Sequence, residues 1–286
     1  MRAAGVFKRY PILGYFLATF SLSWLGAFCL AAPYLLRHQP VPQLAGILMF
    51  PVMLLGPSLS SIALTRMVGG SAALGDLFSR MGRVRLPARW YAALLIPPLA
   101  ILAVLFCLRQ WASPVFAPGM FLPGILWGCP AGFLEEIGWM GFAFPRMSRA
   151  WTPLFASILL GLLWSLWHLP VIDYLGTATP HGAYKVHYFL AFTCAMTAMR
   201  VVIAWVYSNT GSVLLSQLLH ACSTSSLIIF SPPRVTAGQE ALWYFAYGTL
   251  LWLVVAIIGV GWGRNLVRHG KVEEQCAGSG RLAECQ

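Results

Sequence analysis

Acidic side chains are scarce in this chain: eight Asp and Glu stand among 286 residues, against 19 Lys and Arg. Charged residues of both signs make up 9%, where a soluble domain carries about 25%. That shortage excludes a water-facing surface over most of the chain. The seven cysteines include no Cys-x-x-Cys pair, so neither a zinc ribbon nor a disulfide framework is indicated. Five of them, Cys29, Cys107, Cys129, Cys194 and Cys222, lie in or near apolar runs, where cysteine serves as a small apolar filler. The formal charge of +11 comes without a basic stripe interleaved with aromatics, which argues against nucleic acid as a partner. No internal repeat of the kind that builds transporters is visible.

What is abundant is hydrocarbon: 59% of the residues are hydrophobic and the mean hydropathy is +0.73. A bilayer core takes about 20 helical residues to cross. Eight apolar stretches are suited to it: 11–32, 43–65, 90–108, 121–144, 152–172, 187–207, 211–230 and 241–262. They predict an all-α polytopic bundle of about eight transmembrane helices, a single domain over 1–263, with a short polar tail over 264–286. The first stretch follows Lys8 and Arg9 as a signal peptide would. Its apolar run is about twice the usual signal length, so an uncleaved first helix is predicted.

Basic residues give the bundle an orientation. With the N-terminus in the cytoplasm, alternating spans place 14 of the 19 basic residues inside. Arg37, Arg109, Lys185 and Arg234 fall outside, and Arg200 falls within a span. Both termini, the tail included, are therefore expected in the cytoplasm. The longest inside loop, 67–89, holds Gly69, Gly70 and four arginines, and has room for an interfacial helix.

Ionisable residues at membrane depth are functional candidates, because burying them unpaired costs several kcal/mol. Span four holds Glu135 and Glu136 in the run FLEEIGWMGFAFPRM; span five holds His168, span six Arg200 and span seven His220. Taken singly, such a histidine is more often a satisfied core residue than a ligand. Trp139, Trp164 and Trp167 read as packing or interface aromatics. Two carboxylates and two histidines on three helices shift that balance, since their cheapest partners are one another.

Adjacent residues on a helix point about 100° apart, so the two glutamates face different surroundings and take different tasks. Trp164 and His168 share a helix face, as do His220 and Thr224. Gly128, Gly132, Gly138 and Gly141 thin span four around the pair, which favours close helix approach or room for water. A carboxylate beside imidazoles in a wet pocket of low dielectric is suited to activating water. Ser165 is the nearest hydroxyl nucleophile candidate, three residues before His168. A helix-face bond to a backbone carbonyl is its simpler role. The same cluster would also serve a proton-coupled transporter or a catalytically silent peptide-binding or immunity membrane protein.

These residues resemble the CPBP family of intramembrane proteases (CAAX protease and bacteriocin processing). Its pattern is Glu-Glu-x-x-x-Arg, Phe-x-x-x-His and His-x-x-x-Asn/Asp, and the matching region here runs from about 130 to 228. The resemblance implies an intramembrane endopeptidase with Glu135 as the water-activating carboxylate and Glu136 supporting it. It sets His168 beside that base and His220 against the water, a metal or the oxyanion. Zinc and metal-free catalysis are both known readings of the family, so a metal held by Glu136, His168 and His220 stands beside no cofactor at all. A peptide or membrane-anchored protein substrate, a cavity open toward the cytoplasm and a bacterial inner membrane complete the expectation.

Three positions depart from the pattern. Trp164 replaces phenylalanine, Met140 stands at the arginine and Thr224 at the asparagine or aspartate. Threonine keeps one hydroxyl donor. Arg200, the basic residue within a span, is expected to supply the charge Met140 lacks by pairing with Glu136 or Glu135. The competing reading is that it snorkels to a surface.

Overall fold

The computed structural model describes residues 7–267. Arg2, Arg268, Lys271, Arg281, Cys276, Cys285 and most of the predicted tail lie outside the described residues. Within them the regular structure is helical: α1 (Pro11–Leu35), α2 (Gln43–Met53), α3 (Leu55–Met81), α4 (Ile96–Trp111), α5 (Ile125–Gly138), α6 (Pro153–Trp167), α7 (Lys185–Thr210), α8 (Val213–Phe230) and α9 (Ala237–Trp262). Short helical turns at Ala88–Tyr91 and Ala92–Leu95 lead into α4. The chain is an integral membrane helical bundle.

Six helical stretches among the described residues are long and apolar enough to cross a membrane: α1, Gln43–Met81, Ala88–Trp111, Gly182–Thr210, α8 and α9. The fourth and fifth expected spans fall short of that measure for local reasons. Span four runs through α5 into a π-helical turn, Trp139–Ala143, and a last helical turn, Phe144–Met147. Span five was expected to reach 172, but α6 stops at Trp167. Pro170 follows, and the residue before a proline avoids helical geometry. Segment 67–89 differs too: α3 continues to Met81 across a break at Gly70, where φ is 70° and ψ −161°. Glycine adopts that backbone without strain, so a separate helical arm follows the span in place of a loop.

Close approach around span four depends on missing side chains. A Cβ on Gly132 would collide with the backbone of Gln217 and Ala221, and one on Gly128 with Ser225 and Ala221. Helix α8 therefore lies directly on α5. Gly138 meets Tyr15 and the Pro57 carbonyl on its other side. Gly161 does the same for α6 and α7, where a Cβ would strike Thr197 and crowd Arg200. These contacts bring four helices to one point in the bundle interior.

Hydrogen bonds tie the bundle together at both ends. At one, Arg80 donates to the Tyr207 hydroxyl at 2.7 Å and to the Gly141 carbonyl at 3.2 Å, while Arg83 donates to the Thr210 carbonyl at 3.0 Å. Leu154 N–H reaches the Arg264 carbonyl there, at 3.0 Å. At the other end Gly119 N–H reaches the Phe230 carbonyl at 3.1 Å. The buried Glu240 accepts from the Thr177 and Ala178 amides at 2.7 and 2.8 Å, pinning the α6–α7 loop onto α9.

Candidate active site

Glu135 and Glu136 are both completely buried on α5, and their surroundings differ as the helical turn between them requires. Glu136 is fully engaged. Arg200 Nη1 on α7 lies 2.7 Å from its Oε1 and 2.8 Å from its Oε2, and His220 Nδ1 on α8 lies 2.7 Å from Oε1. The guanidinium also sits over the Trp164 ring, 4.1 Å from its centroid. Arg200 thus stays in the interior and does not snorkel.

Glu135 has one engaged oxygen and one open. Its Oε2 accepts the indole N–H of Trp164 at 2.6 Å and of Trp139 at 3.0 Å. Its Oε1 is buried without a hydrogen-bond partner, and the residue lines a cavity. Trp139 reads from the sequence as a packing aromatic, yet it donates to the glutamate one turn before it. Spacing i, i+4 on a helix was the available signal. Trp164 adds a donor from a second helix, which phenylalanine at that position would lack.

His168 caps the end of α6, and its Nδ1 lies 2.8 Å from the Trp164 carbonyl. A carbonyl only accepts, so Nδ1 carries the proton and Nε2 of the neutral ring keeps its lone pair. Phe50, Trp167 and Phe192 surround the imidazole at ring-centroid distances of 6.1, 4.8 and 5.1 Å. His220 meets the Trp164 ring edge-on at 5.0 Å. Thr224, one turn after His220, lines the same cavity, and Met140 is buried in the π-turn among apolar neighbours. Ser165 bonds the Gly161 carbonyl of its own helix at 2.9 Å, which removes it as a nucleophile candidate.

Helix α5 is fastened around the pair by residues the sequence did not single out. Gln217 donates to the Phe133 carbonyl at 2.8 Å, Ser58 to Leu134 at 2.5 Å and Ser61 to Ile137 at 2.8 Å. Side chains bonding backbone carbonyls on both flanks of the glutamates hold that helix at fixed rotation.

The cavity encloses about 430 Å³ and is lined by Glu135, Trp164, His168, His220 and Thr224 at its polar floor and by aromatic and aliphatic side chains above. Small, mainly apolar pockets with a few convergent polar groups are the usual form of a reaction or binding site. As a metal site the set Glu136, His168 and His220 is poorly matched. Both oxygens of Glu136 already face a guanidinium, whose charge opposes a cation. Among the described residues no group of three or more His, Cys, Asp or Glu is arranged to hold a metal ion.

The expected opening toward the cytoplasm does not match the basic-residue bias. The α6–α7 loop contributes Tyr174, Leu175 and Gly176 to the lining, and this loop lies at the end away from Arg80, Arg83, Arg146 and Arg149.

Residues 117–225 match the family described as type II CAAX prenyl endopeptidase, Rce1-like. The chain is also 26% identical over 228 residues to CAAX prenyl protease 2 of Methanococcus maripaludis, covering 75% of this chain and 82% of that protein. The matched region takes in α5, α6, α7 and most of α8, the helices that carry the two glutamates, both histidines and Arg200.

Proposed function

We propose, from the match of residues 117–225 to the Rce1-like type II CAAX prenyl endopeptidase family, that the chain is a CPBP-type endopeptidase in which Glu135 activates water within the bilayer. One observation carries the reading: Glu135 lines the cavity and keeps one oxygen unpartnered, while Glu136, beside it, is saturated by Arg200 and His220. A free carboxylate and an immobilised one suit a base and its support.

In the proposed reaction, Glu135 takes a proton from a water in the cavity as that water's oxygen bonds the scissile carbonyl carbon. The carbonyl π-electrons move to oxygen. His220, held through Nδ1 by Glu136, offers Nε2 to the oxyanion when it carries a proton, and the Thr224 hydroxyl is a second donor. Collapse of the tetrahedral adduct breaks the C–N bond, and Glu135 returns its proton to the leaving amine. His168, its tautomer set by the Trp164 carbonyl, accepts a hydrogen bond from the attacking water through Nε2. Trp139 and Trp164 fix the carboxylate so that Oε1 faces the substrate. Every step is assigned to side chains, since Glu136 is committed to Arg200.

The relative is named a CAAX prenyl protease; for this chain the substrate class supported is a peptide or membrane-anchored protein. Glu135→Gln and His168→Ala, purified and checked for folding, are tested against a peptide library that the parent cleaves. Normal cutting by both variants sinks the assignment. A parent that never cuts but carries proton flux across liposomes favours the proton-coupled transporter instead.

A further inference from the structure

The cavity and the positive charges occupy opposite ends of the bundle. Each element lends the cavity residues from the same end: Gly46 and Phe50 from the first half of α2, Phe121 ahead of α5, Tyr174 from the α6–α7 loop, Phe192 from the first third of α7 and Ile228 near the end of α8. That end is one physical surface. Gln43 bonds Thr179 at 3.1 Å, Thr177 bonds Ser231, and Glu240 holds the Thr177 amide at 2.7 Å.

The far end is where the cations gather, around a separate, smaller polar pocket lined by Asp76, Arg80, Arg146, Arg149 and Tyr207 that holds none of the glutamates or histidines of the site. Among the described residues it carries Lys8, Arg9, Arg66, Arg80, Arg83, Arg85, Arg89, Arg146, Arg149 and Arg264. Arg80 and Arg83 bond Gly141, Tyr207 and Thr210, which ties the ends of α3, the π-turn and α7 into that face. The cavity end has Arg37, Arg109, Lys185 and Arg234, and Lys185 is 3.6 Å from Asp173. Lys and Arg near span ends stay in the cytoplasm during insertion. The cation-rich face is then cytoplasmic and the cavity faces the other way.

We infer that the active cavity opens to the non-cytoplasmic side, and that its substrates are uncharged, largely apolar peptide segments of exported or membrane-anchored proteins presented there. C-terminal segments of cytoplasmic prenylated proteins would meet the cationic face, whose pocket contains none of the catalytic candidates. The substrate class follows from the lining: apart from Glu135, His168 and His220 its side chains are aromatic, aliphatic or neutral polar. A charged segment would lose its hydration without finding a partner. The orientation rests on charge and topology alone; only the substrate class rests on the peptidase reading.

Two measurements separate those parts. In a background with the native cysteines replaced, Ala183→Cys sits exposed on the cavity end and Ala150→Cys exposed on the cationic end. A membrane-impermeant maleimide applied to intact spheroplasts is expected to label Ala183→Cys, and Ala150→Cys only after permeabilisation. The reverse pattern overturns the orientation. In the second measurement an impermeant fluorogenic peptide with an apolar core is given to right-side-out and inverted vesicles of the parent protein. Cleavage by right-side-out vesicles alone is expected, and cleavage by inverted vesicles alone refutes the inference. A peptide with charged residues across its core is expected to be spared; equal cleavage removes the substrate class. With Ala183→Cys labelled and no peptide cut in either vesicle, the peptidase reading and the substrate class fall together while the orientation stands.

Discussion

Arg200 and Glu136 are locked together in the bundle interior, with Nη1 at 2.7 and 2.8 Å from the two carboxylate oxygens and both side chains completely buried. The residues are 64 positions apart in the chain, on α5 and α7. A buried pair of this kind adds little net stability over an apolar one, but removing one partner strands a charge.

Arg200→Met is therefore expected to destabilise the bundle by about 3–5 kcal/mol, read as a lowered melting temperature in detergent. Glu136→Gln with Arg200→Met is expected to cost less than the two single changes added together, with a coupling of about 1–3 kcal/mol. Additive losses would show that the pair does not act as a unit.

Glu135→Gln should leave the fold intact, because the amide oxygen still accepts from Trp139 and Trp164. Peptide cleavage by the purified variant is expected to fall by about 10²–10⁴, the usual worth of a positioned base. Unchanged turnover would remove Glu135 from the chemistry.

Trp164→Phe deletes the 2.6 Å donor to Glu135 and retains a ring beneath Arg200. Hydrogen bonds to charged groups are worth about 1.5–3 kcal/mol, so kcat should drop by about 10- to 100-fold with KM little changed. Trp139→Phe, which loses a 3.0 Å bond, is expected to lower kcat less. A rise in KM at constant kcat in both variants would instead assign the indoles to substrate binding.

Gly132→Val should separate α8 from α5, since even a Cβ there meets the Gln217 and Ala221 backbone. Loss of about 1–3 kcal/mol or more is expected from such overpacking. Gly259→Ala is the control: nothing lies within 4 Å of its added Cβ, and alanine inside a helix gains about 0.5–1 kcal/mol over glycine. Thermal unfolding of the two variants should move in opposite directions.

Chelator treatment is expected to leave cleavage by the purified protein unchanged, and elemental analysis to find no stoichiometric zinc. The reason lies in the donor set: Glu136 is held by Arg200 and His220, and Glu135 Oε2 by two indoles. Zinc at one per chain, with activity lost on its removal and restored by its return, would reverse that reading.

Much of the architecture was legible because it obeys rules that act over short stretches of chain. Apolar runs of membrane length and the bias of Lys and Arg predicted the polytopic bundle and an orientation, since hydration of backbone and charge is paid locally. Glu135, Glu136, His168 and His220 stood out because few residues at that depth can be charged at all. Less visible were the points where local rules meet. Pro170 ends α6 early and turns His168 into a cap, and the π-turn after Gly138 interrupts span four.

Composition and spacing alone dictated that two carboxylates, two imidazoles and one guanidinium would have to share an apolar interior. They also showed that adjacent glutamates could not share one environment, because a helix turns about 100° per residue. Which glutamate is bound and which keeps a free oxygen follows from the packing of the helices. That choice depends on α7 and α8 closing over Gly161, Gly128 and Gly132, a packing of distant segments that no local pattern encodes. The same packing collected the cavity at the end of the bundle away from most of its arginines.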